Sequence, residues 1–311
     1  MKRRIIALLS IALLLLSLAA CSSGQTTDKQ AAQPKETTVK TVTVPMATEP
    51  APVELEPAGT LGDFDVQIGD LEMTKDYNGN SAAIIRFSFT NNSEENTSAM
   101  MELQYKAFQN GVQMETTVIS DDSILNSKDI MKDIQPGVTI DVGVAYKLDS
   151  ETAPIEFEVS ESFSFDDAKL GKSFEIAEGG TTELSVAPGA DTAQEIGDYA
   201  VSIVSYKLGE DYKGNKAIIL EIGFTNNGNE AESYAFSIDC GVFQDGVELE
   251  TAILRDNDSV GNSARAVKPG AGIAVTAAYL LTSDTSPVEI EMEPYFGSTN
   301  DTLKTEINIA G

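Results

Sequence analysis

The chain has no histidine and no tryptophan, only two cysteines, and 21 basic residues against 49 acidic ones in 311. Without histidine there is no imidazole base, no Ser-His or Cys-His pair and no imidazole metal ligand. Most familiar hydrolase and zinc-site chemistries are excluded, leaving carboxylates, Lys and Tyr as candidate actors. A glycosidase would need paired carboxylates in a cleft, and sparse aromatics leave little to stack a sugar. The expectation is a protein that is not an enzyme. A formal charge of −28 repels nucleic acid, anionic headgroups and anionic wall polymers. It favours a solvated, aggregation-resistant surface and, secondarily, attraction of cations or basic partners.

Charge of the opposite sign is concentrated at the N-terminus. Lys2, Arg3 and Arg4 precede an apolar run, Ile5 to Leu18, of about 14 residues. That run is short for a membrane span and has the form of a secretory signal. Its ending, Leu18-Ala19-Ala20-Cys21, resembles the lipobox of bacterial lipoproteins, which implies cleavage before Cys21 and diacylglycerol on its sulfur. Removing residues 1–20 takes away three basic residues and no acid, so the charge moves from −28 to near −31. Each buried methylene of a lipid anchor contributes about 0.8 kcal/mol, and two chains hold far more firmly than one. The partner at this end is therefore a membrane, reached through Cys21 rather than through the acidic body. The expected location is extracytoplasmic, on the outer face of the cell membrane. Once Cys21 is acylated, Cys240 is left as a single thiol and no intramolecular disulfide can form.

Residues 21–58 are rich in Thr, Gln, Ala, Pro and Glu and poor in large apolar side chains. Such a segment cannot bury a core and reads as an extended stalk, although Thr38 to Val44 alternate as a strand would. Beyond it the sequence repeats. Asp76-Tyr-Asn-Gly-Asn80 returns as Asp211-Tyr-Lys-Gly-Asn215, and Phe108-Gln-Asn-Gly-Val112 as Phe243-Gln-Asp-Gly-Val247. Leu61 to Ile68 matches Ile196 to Ile203 at the same offset; after a two-residue slip, Tyr146 meets Tyr279 and Pro154 meets Pro287. The implied organisation is a signal (1–20), a stalk (21–58), domain one (59–178), a linker (179–194) and domain two (195–311).

Both copies alternate with period two. Ala83, Ile85, Phe87 and Phe89 share one strand face, matched by Ile218, Leu220, Ile222 and Phe224. Met101, Leu103, Tyr105 and Ala107 form a second row, matched by Phe236, Ile238, Cys240 and Val242. Val138, Ile140, Val142, Val144 and Tyr146 form another, and Ile155, Phe157 and Val159 the next. The Asn110-Gly111 and Asp245-Gly246 pairs are strong hairpin signals. About seven strands in roughly 115 residues predict an all-β fold, two tandem immunoglobulin-like β-sandwich domains. On that reading Cys240 is a small core residue, not a reactive thiol.

Two loop sets are candidate sites. Asp76, Asn78 and Asn80 alternate as calcium ligands do, but an EF-hand needs Gly at position six and Glu at twelve. Here Gly79 is fourth, Phe87 is twelfth, and Lys213 replaces Asn78 in the second copy; the motif reads as a turn. The second set follows from topology, which brings three loops of each sandwich to one end. In copy one these carry Asn91, Asn92, Glu94 and Glu95, then Asp121 and Asp122, then Asp166 and Asp167. In copy two they carry Asn226, Asn227 and Glu230, then Asp256 and Asp258, then Asn300 and Asp301. Converging carboxylates are expected to present a recognition surface or a weak calcium site, or to be ordinary polar loops of an acidic protein.

The repeated Asp-Tyr-x-Gly-Asn block with its Phe-Thr-Asn-Asn ending, followed by Phe-Gln-x-Gly-Val and Pro-Gly, resembles a poorly characterised Ig-like domain family. That family occurs in surface lipoproteins of Gram-positive bacteria, and the match covers about three quarters of the chain. It implies fold and location and carries no activity or ligand. The leading expectation is a lipid-anchored binding or scaffolding protein with a protein or envelope partner. The alternatives are a small-ligand or cation-binding lipoprotein and a structural spacer.

Overall fold

The computed structural model describes residues 55–120, 129–164, 166–255, 262–296 and 301–310. Cys21, the signal, residues 21–54 and Asp121, Asp122, Asp256, Asp258 and Asn300 lie outside the described residues. Among those described, no helix is long and apolar enough to cross a membrane.

The first copy folds into β1 (Ala58–Leu61), β2 (Phe64–Lys75), β3 (Ser81–Asn91), β4 (Leu103–Gln109), β5 (Val112–Gln113), β6 (Thr139–Lys147), β7 (Ile155–Glu161) and β8 (Lys169–Phe174). A single helical turn, α1 (Ala99–Glu102), leads into β4. One antiparallel sheet runs β1-β2-β3-β6 and the other β5-β4-β7-β8. The short β5 pairs with β4 through the Asn110-Gly111 turn and so joins the second sheet. The second copy repeats this with β9 (Gln194–Ile196), β10 (Tyr199–Glu210), β11 (Lys216–Asn226), α2 (Tyr234–Ser237), β12 (Ile238–Gln244), β13 (Val247–Glu248), β14 (Gly272–Leu280), β15 (Val288–Pro294) and β16 (Leu303–Ile307). Its sheets run β9-β10-β11-β14 and β13-β12-β15-β16. The described residues form two all-β sandwiches.

The alternating rows make the cores. Phe87, Phe89, Ile85 and Ala83 of β3 pack against Leu103 and Ala107 of β4 and Ile155, Phe157 and Val159 of β7. Phe87 and Phe157 stand 6.0 Å apart between ring centroids. Ile218, Leu220, Ile222 and Phe224 do the same in the second core, beside Val288, Ile290 and Met292. Burying a side chain of this size contributes about 2 kcal/mol. The opposite face of β3 is not bare: Ala82 and Ile84 are sealed with Ala145 by Ile119.

Three expected details differ. The two-residue period places Met101 and Phe236 in inward rows, yet they lie 62 % and 70 % exposed. They sit on α1 and α2, where helical winding breaks the two-residue period one step before the strands begin. Val138 precedes β6, in the Gln135–Val138 turn, and faces outward. The first sandwich also begins earlier than composition suggests: the Ile68 N–H donates to Pro57 O and the Gly171 N–H to Glu56 O, with Leu55 lying against Gly171.

The segment between the sandwiches is packed rather than free. The Ser185 N–H donates to Asn110 O on one side, while the Gly272 N–H donates to Ser185 O on the other. Ala187 is buried, and Ser202 Oγ donates to Pro188 O.

Candidate functional site

In the Asp-Tyr-x-Gly-Asn turns every aspartate oxygen is already occupied. Asp76 Oδ1 accepts the N–H groups of Asn78 and Asn80 at 2.9 and 2.8 Å, and Oδ2 accepts Asn80 Nδ2 at 2.9 Å. Asp211 repeats the pattern with Lys213 and Asn215 at 2.8, 2.7 and 2.9 Å. Gly79 and Gly214 take φ of 85° and 87°, the left-handed value such a turn requires. The repeated motif is a turn. The Asn80 side chain, with the turn's amides, holds Asp76 below the ordinary carboxylate value. At Asp211 burial works the other way, but donors from Asn215, Lys213 and Gly214 outweigh it. A carboxylate depressed in the folded state stabilises the fold above its ordinary value of about 3.9 and loses that contribution as pH falls through the folded value. Replacing Asp76 and Asp211 together by Asn is therefore expected to lower the melting temperature near neutral pH and to do so less near about pH 2. Thermal melts across that range check it.

At the other end of the first sandwich, strand register gathers the expected loops. Phe64 pairs with Asn91 and Leu103 with Glu161. Gly62 lies against the Glu161 carboxylate, and the Asn92 N–H donates to Asp63 O. Glu94, Glu95, Asp166 and Asp167 are exposed there. Asn92 is tied down, its Nδ2 donating to Asp65 Oδ2 at 2.8 Å. In the second sandwich Asn227 and Asp301 are exposed, and Glu230 faces the first domain, 3.5 Å from Lys169. Among the described residues no three His, Cys, Asp or Glu side chains stand together as a metal-holding group.

Asn91 and Asn226 are not surface donors at all. Both are fully buried. Asn91 Nδ2 donates to Glu95 O and Ile134 O at 2.8 and 3.0 Å, and its Oδ1 accepts the Ser93 N–H. Asn226 does the same to Glu230 O and Val267 O, both at 2.7 Å, and accepts the Gly228 N–H. One amide thus bonds two carbonyls, the Ile134 or Val267 contact being the buried one, and closes a loop. Gln109 and Gln244 play this part at the opposite end, each donating to two carbonyls of the turn before β7 or β15. Cys240 is half-buried between the hydroxyls of Tyr234 and Tyr279, and burial pushes its thiol up, toward the unreactive protonated form.

The most elaborate polar constellation is one the sequence reading missed. The Asn110-Gly111 hairpin of the first domain enters the loop end of the second. Val112 bridges Val267 and joins the second domain's core. The Gln113 N–H donates to Ala266 O and the Lys268 N–H to Gly111 O, both at 2.8 Å. Lys268 Nζ stands 2.6 Å from Glu156, 2.5 Å from Glu158 and 4.6 Å above the Phe108 ring. Arg265 pairs with Asp149 and donates from Nε to Gln113 O at 2.5 Å. Burial works against the Lys268 charge, but Glu158 and Glu156 outweigh it and hold its pKa above the ordinary lysine value. A sequence signal did exist: the first copy has Lys132 and Gln135 where the second has Arg265 and Lys268.

The profile of DUF5067, a domain of unknown function, matches residues 47–161 and again 189–294. The chain belongs to the DUF5067 family. Each match falls on one sandwich and spans its first seven strands, β1 to β7 and β9 to β15, with β8 and β16 beyond the matched residues. No curated protein matches the chain. Among solved structures, a presumed lipoprotein of Staphylococcus aureus is 14 % identical with a TM-score of 0.31, over 40 % of this chain and 96 % of that one. The exo-chitosanase CsxA of Amycolatopsis orientalis is 12 % identical with a TM-score of 0.23, over 76 % of this chain and 26 % of the chitosanase. Likenesses of that size carry no argument about this DUF5067 pair.

Proposed function

We propose that the chain is a lipid-anchored, extracytoplasmic display protein, carrying two DUF5067 sandwiches as a non-enzymatic binding or scaffolding unit for a protein or envelope partner. The observation that carries the location is the basic start, the apolar run and the Leu18-to-Cys21 ending. The hairpin docked between the domains supports a single presented unit rather than two swinging ones. The loop carboxylates support a surface role more than a cation cage, because Asn91 and Asn226 are spent on backbone carbonyls and Glu230 faces Lys169. The acidic body argues against a nucleic-acid partner.

Cys21→Ser tests the anchor. The variant is expected to leave the membrane fraction and appear in the soluble extracytoplasmic fraction; full retention on membranes would overturn the lipoprotein reading. Retention of a defined partner from envelope extracts by the soluble form tests the binding role, and retention of nothing favours a spacer.

A further inference from the structure

The two hairpin tips share one backbone but not one environment. Asn110 and Gly111 take φ of 51° and 77°, Asp245 and Gly246 of 50° and 75°. Val112 is 6 % exposed under the second domain, whereas Val247 is 63 % exposed. A side chain at Gly111 would collide with Ala271 and Leu184 at 2.7 and 2.9 Å, while one at Gly246 would meet nothing within 4 Å. One tip is plugged in; its copy is open.

The parts that grip Lys268 beside the first tip recur beside the second. Phe243 stands in the place of Phe108. Glu289 lies opposite Phe243 as Glu156 lies opposite Phe108, and Glu291 follows at the position of Glu158. Phe243 is half-exposed where Phe108 is buried. Lys304 of β16 occupies Glu291, whereas Glu289 is exposed and has no basic partner among the described residues. The outward backbone edge is also free: Gly111 and Gln113 hydrogen-bond to residues 266–268, and no described strand does this for Gly246 and Glu248.

We propose that the β12–β13 edge of the second domain is a strand-addition site for another protein. The segment it takes is extended and carries an apolar residue followed by lysine, the pattern that Val267-Lys268 presents to the first domain. Main-chain hydrogen bonds along β13 supply the pairing, Val247 packs against the apolar residue, and Phe243 with Glu289 receives the ammonium. This deepens the binding role proposed above and rests on it. A second copy of the chain fits poorly. Its own 265–268 segment is already engaged, and the first-domain counterpart, Lys132 to Gln135, places an uncharged amide where the ammonium belongs.

The test uses the chain from residue 21 with Cys21→Ser, isotope-labelled for amide NMR, and a peptide copying residues 262–271. Saturable shifts are expected at Asp245 to Glu248 and around Glu289. Binding should weaken about tenfold when the peptide carries Lys268→Gln, and about tenfold or more when the chain carries Val247→Asp. Unchanged resonances of the second-domain core strands, Ile218 to Phe224 and Gly272 to Tyr279, establish that this variant is folded. Equal affinity for the two peptides, shifts confined to residues 110–113, or no shifts at about millimolar peptide would each overturn the proposal. So would self-association of the unmodified chain that Val247→Asp abolishes, since the occupant would then be a second copy. None of these readouts involves a membrane, so they fail independently of the Cys21→Ser test.

Discussion

Asn226→Ala is expected to destabilise the second sandwich by about 2 kcal/mol, lowering its melting temperature by about 8 °C. The replacement strips the side-chain donors from Glu230 O and from Val267 O, which keeps only the Glu232 N–H at 3.1 Å, and removes the acceptor from the Gly228 N–H, at a side chain that is itself fully buried. Each buried polar group left unpaired costs about 1 to 3 kcal/mol, and a water entering the vacated space recovers part of it. Asn226→Asp gives a sharper diagnostic. Its carboxylate would keep the Gly228 contact but set an oxygen against two carbonyl oxygens, and only its protonated form could donate to one of them. The folded-state pKa of that aspartate is therefore raised. Its neutral form is compatible with the fold below the ordinary value of about 3.9, and stability falls as pH rises through that region. A melting series on the aspartate variant that shows no recovery at low pH would contradict the clamp. Asn91→Ala should cost the first sandwich at least as much, because Asn91 makes the same three bonds and also accepts the Ser93 hydroxyl at 2.7 Å.

The same asparagines show where the sequence was legible and where it was not. The rows Ala83-Ile85-Phe87-Phe89 and Ile155-Phe157-Val159 could be read directly, because a strand with one buried face leaves a period-two imprint. The Asn-Gly and Asp-Gly pairs marked both hairpins for an equally local reason. Asn91 and Asn226 were legible as loop residues but not as buried ones. Polarity alone suggests solvent, and whether an amide finds two carbonyls depends on a segment about 40 residues away. Met101 and Phe236 were misread because a single helical turn leaves no period of its own. The docked hairpin was the least accessible feature, since it joins residues more than 110 positions apart. Its trace lay in a contrast between otherwise parallel copies, Lys268 against Gln135. A duplication that keeps a turn yet changes the charge facing it has given the two copies different neighbours.

Lys268→Glu is expected to uncouple the two sandwiches. In place of an ammonium held by Glu156, Glu158 and the Phe108 ring, three carboxylates would crowd one partly buried socket. Removing the cation alone, as in Lys268→Ala, costs about 2 kcal/mol, because the socket's side chains are about one-fifth to one-third exposed and solvent screens what remains. The reversed charge adds repulsion to that loss. Since each sandwich has its own core, the damage should fall on the junction: calorimetry should resolve two transitions where the unmodified chain gives more closely coupled unfolding, and amide exchange at Gly111 to Gln113 should accelerate. Gly111→Ala should do the same without touching any charge, through its contact with Ala271 and Leu184, whereas Gly246→Ala meets open space and carries only the cost of a left-handed residue. The pH dependence has a definite sign. A lysine whose folded pKa is raised contributes fully below its ordinary value, about 10.4, and loses the contribution as pH rises through the folded value. The junction should therefore loosen at alkaline pH in the unmodified chain and be indifferent there in Lys268→Ala. Equal alkaline sensitivity of both would mean that the cation does not hold the domains together.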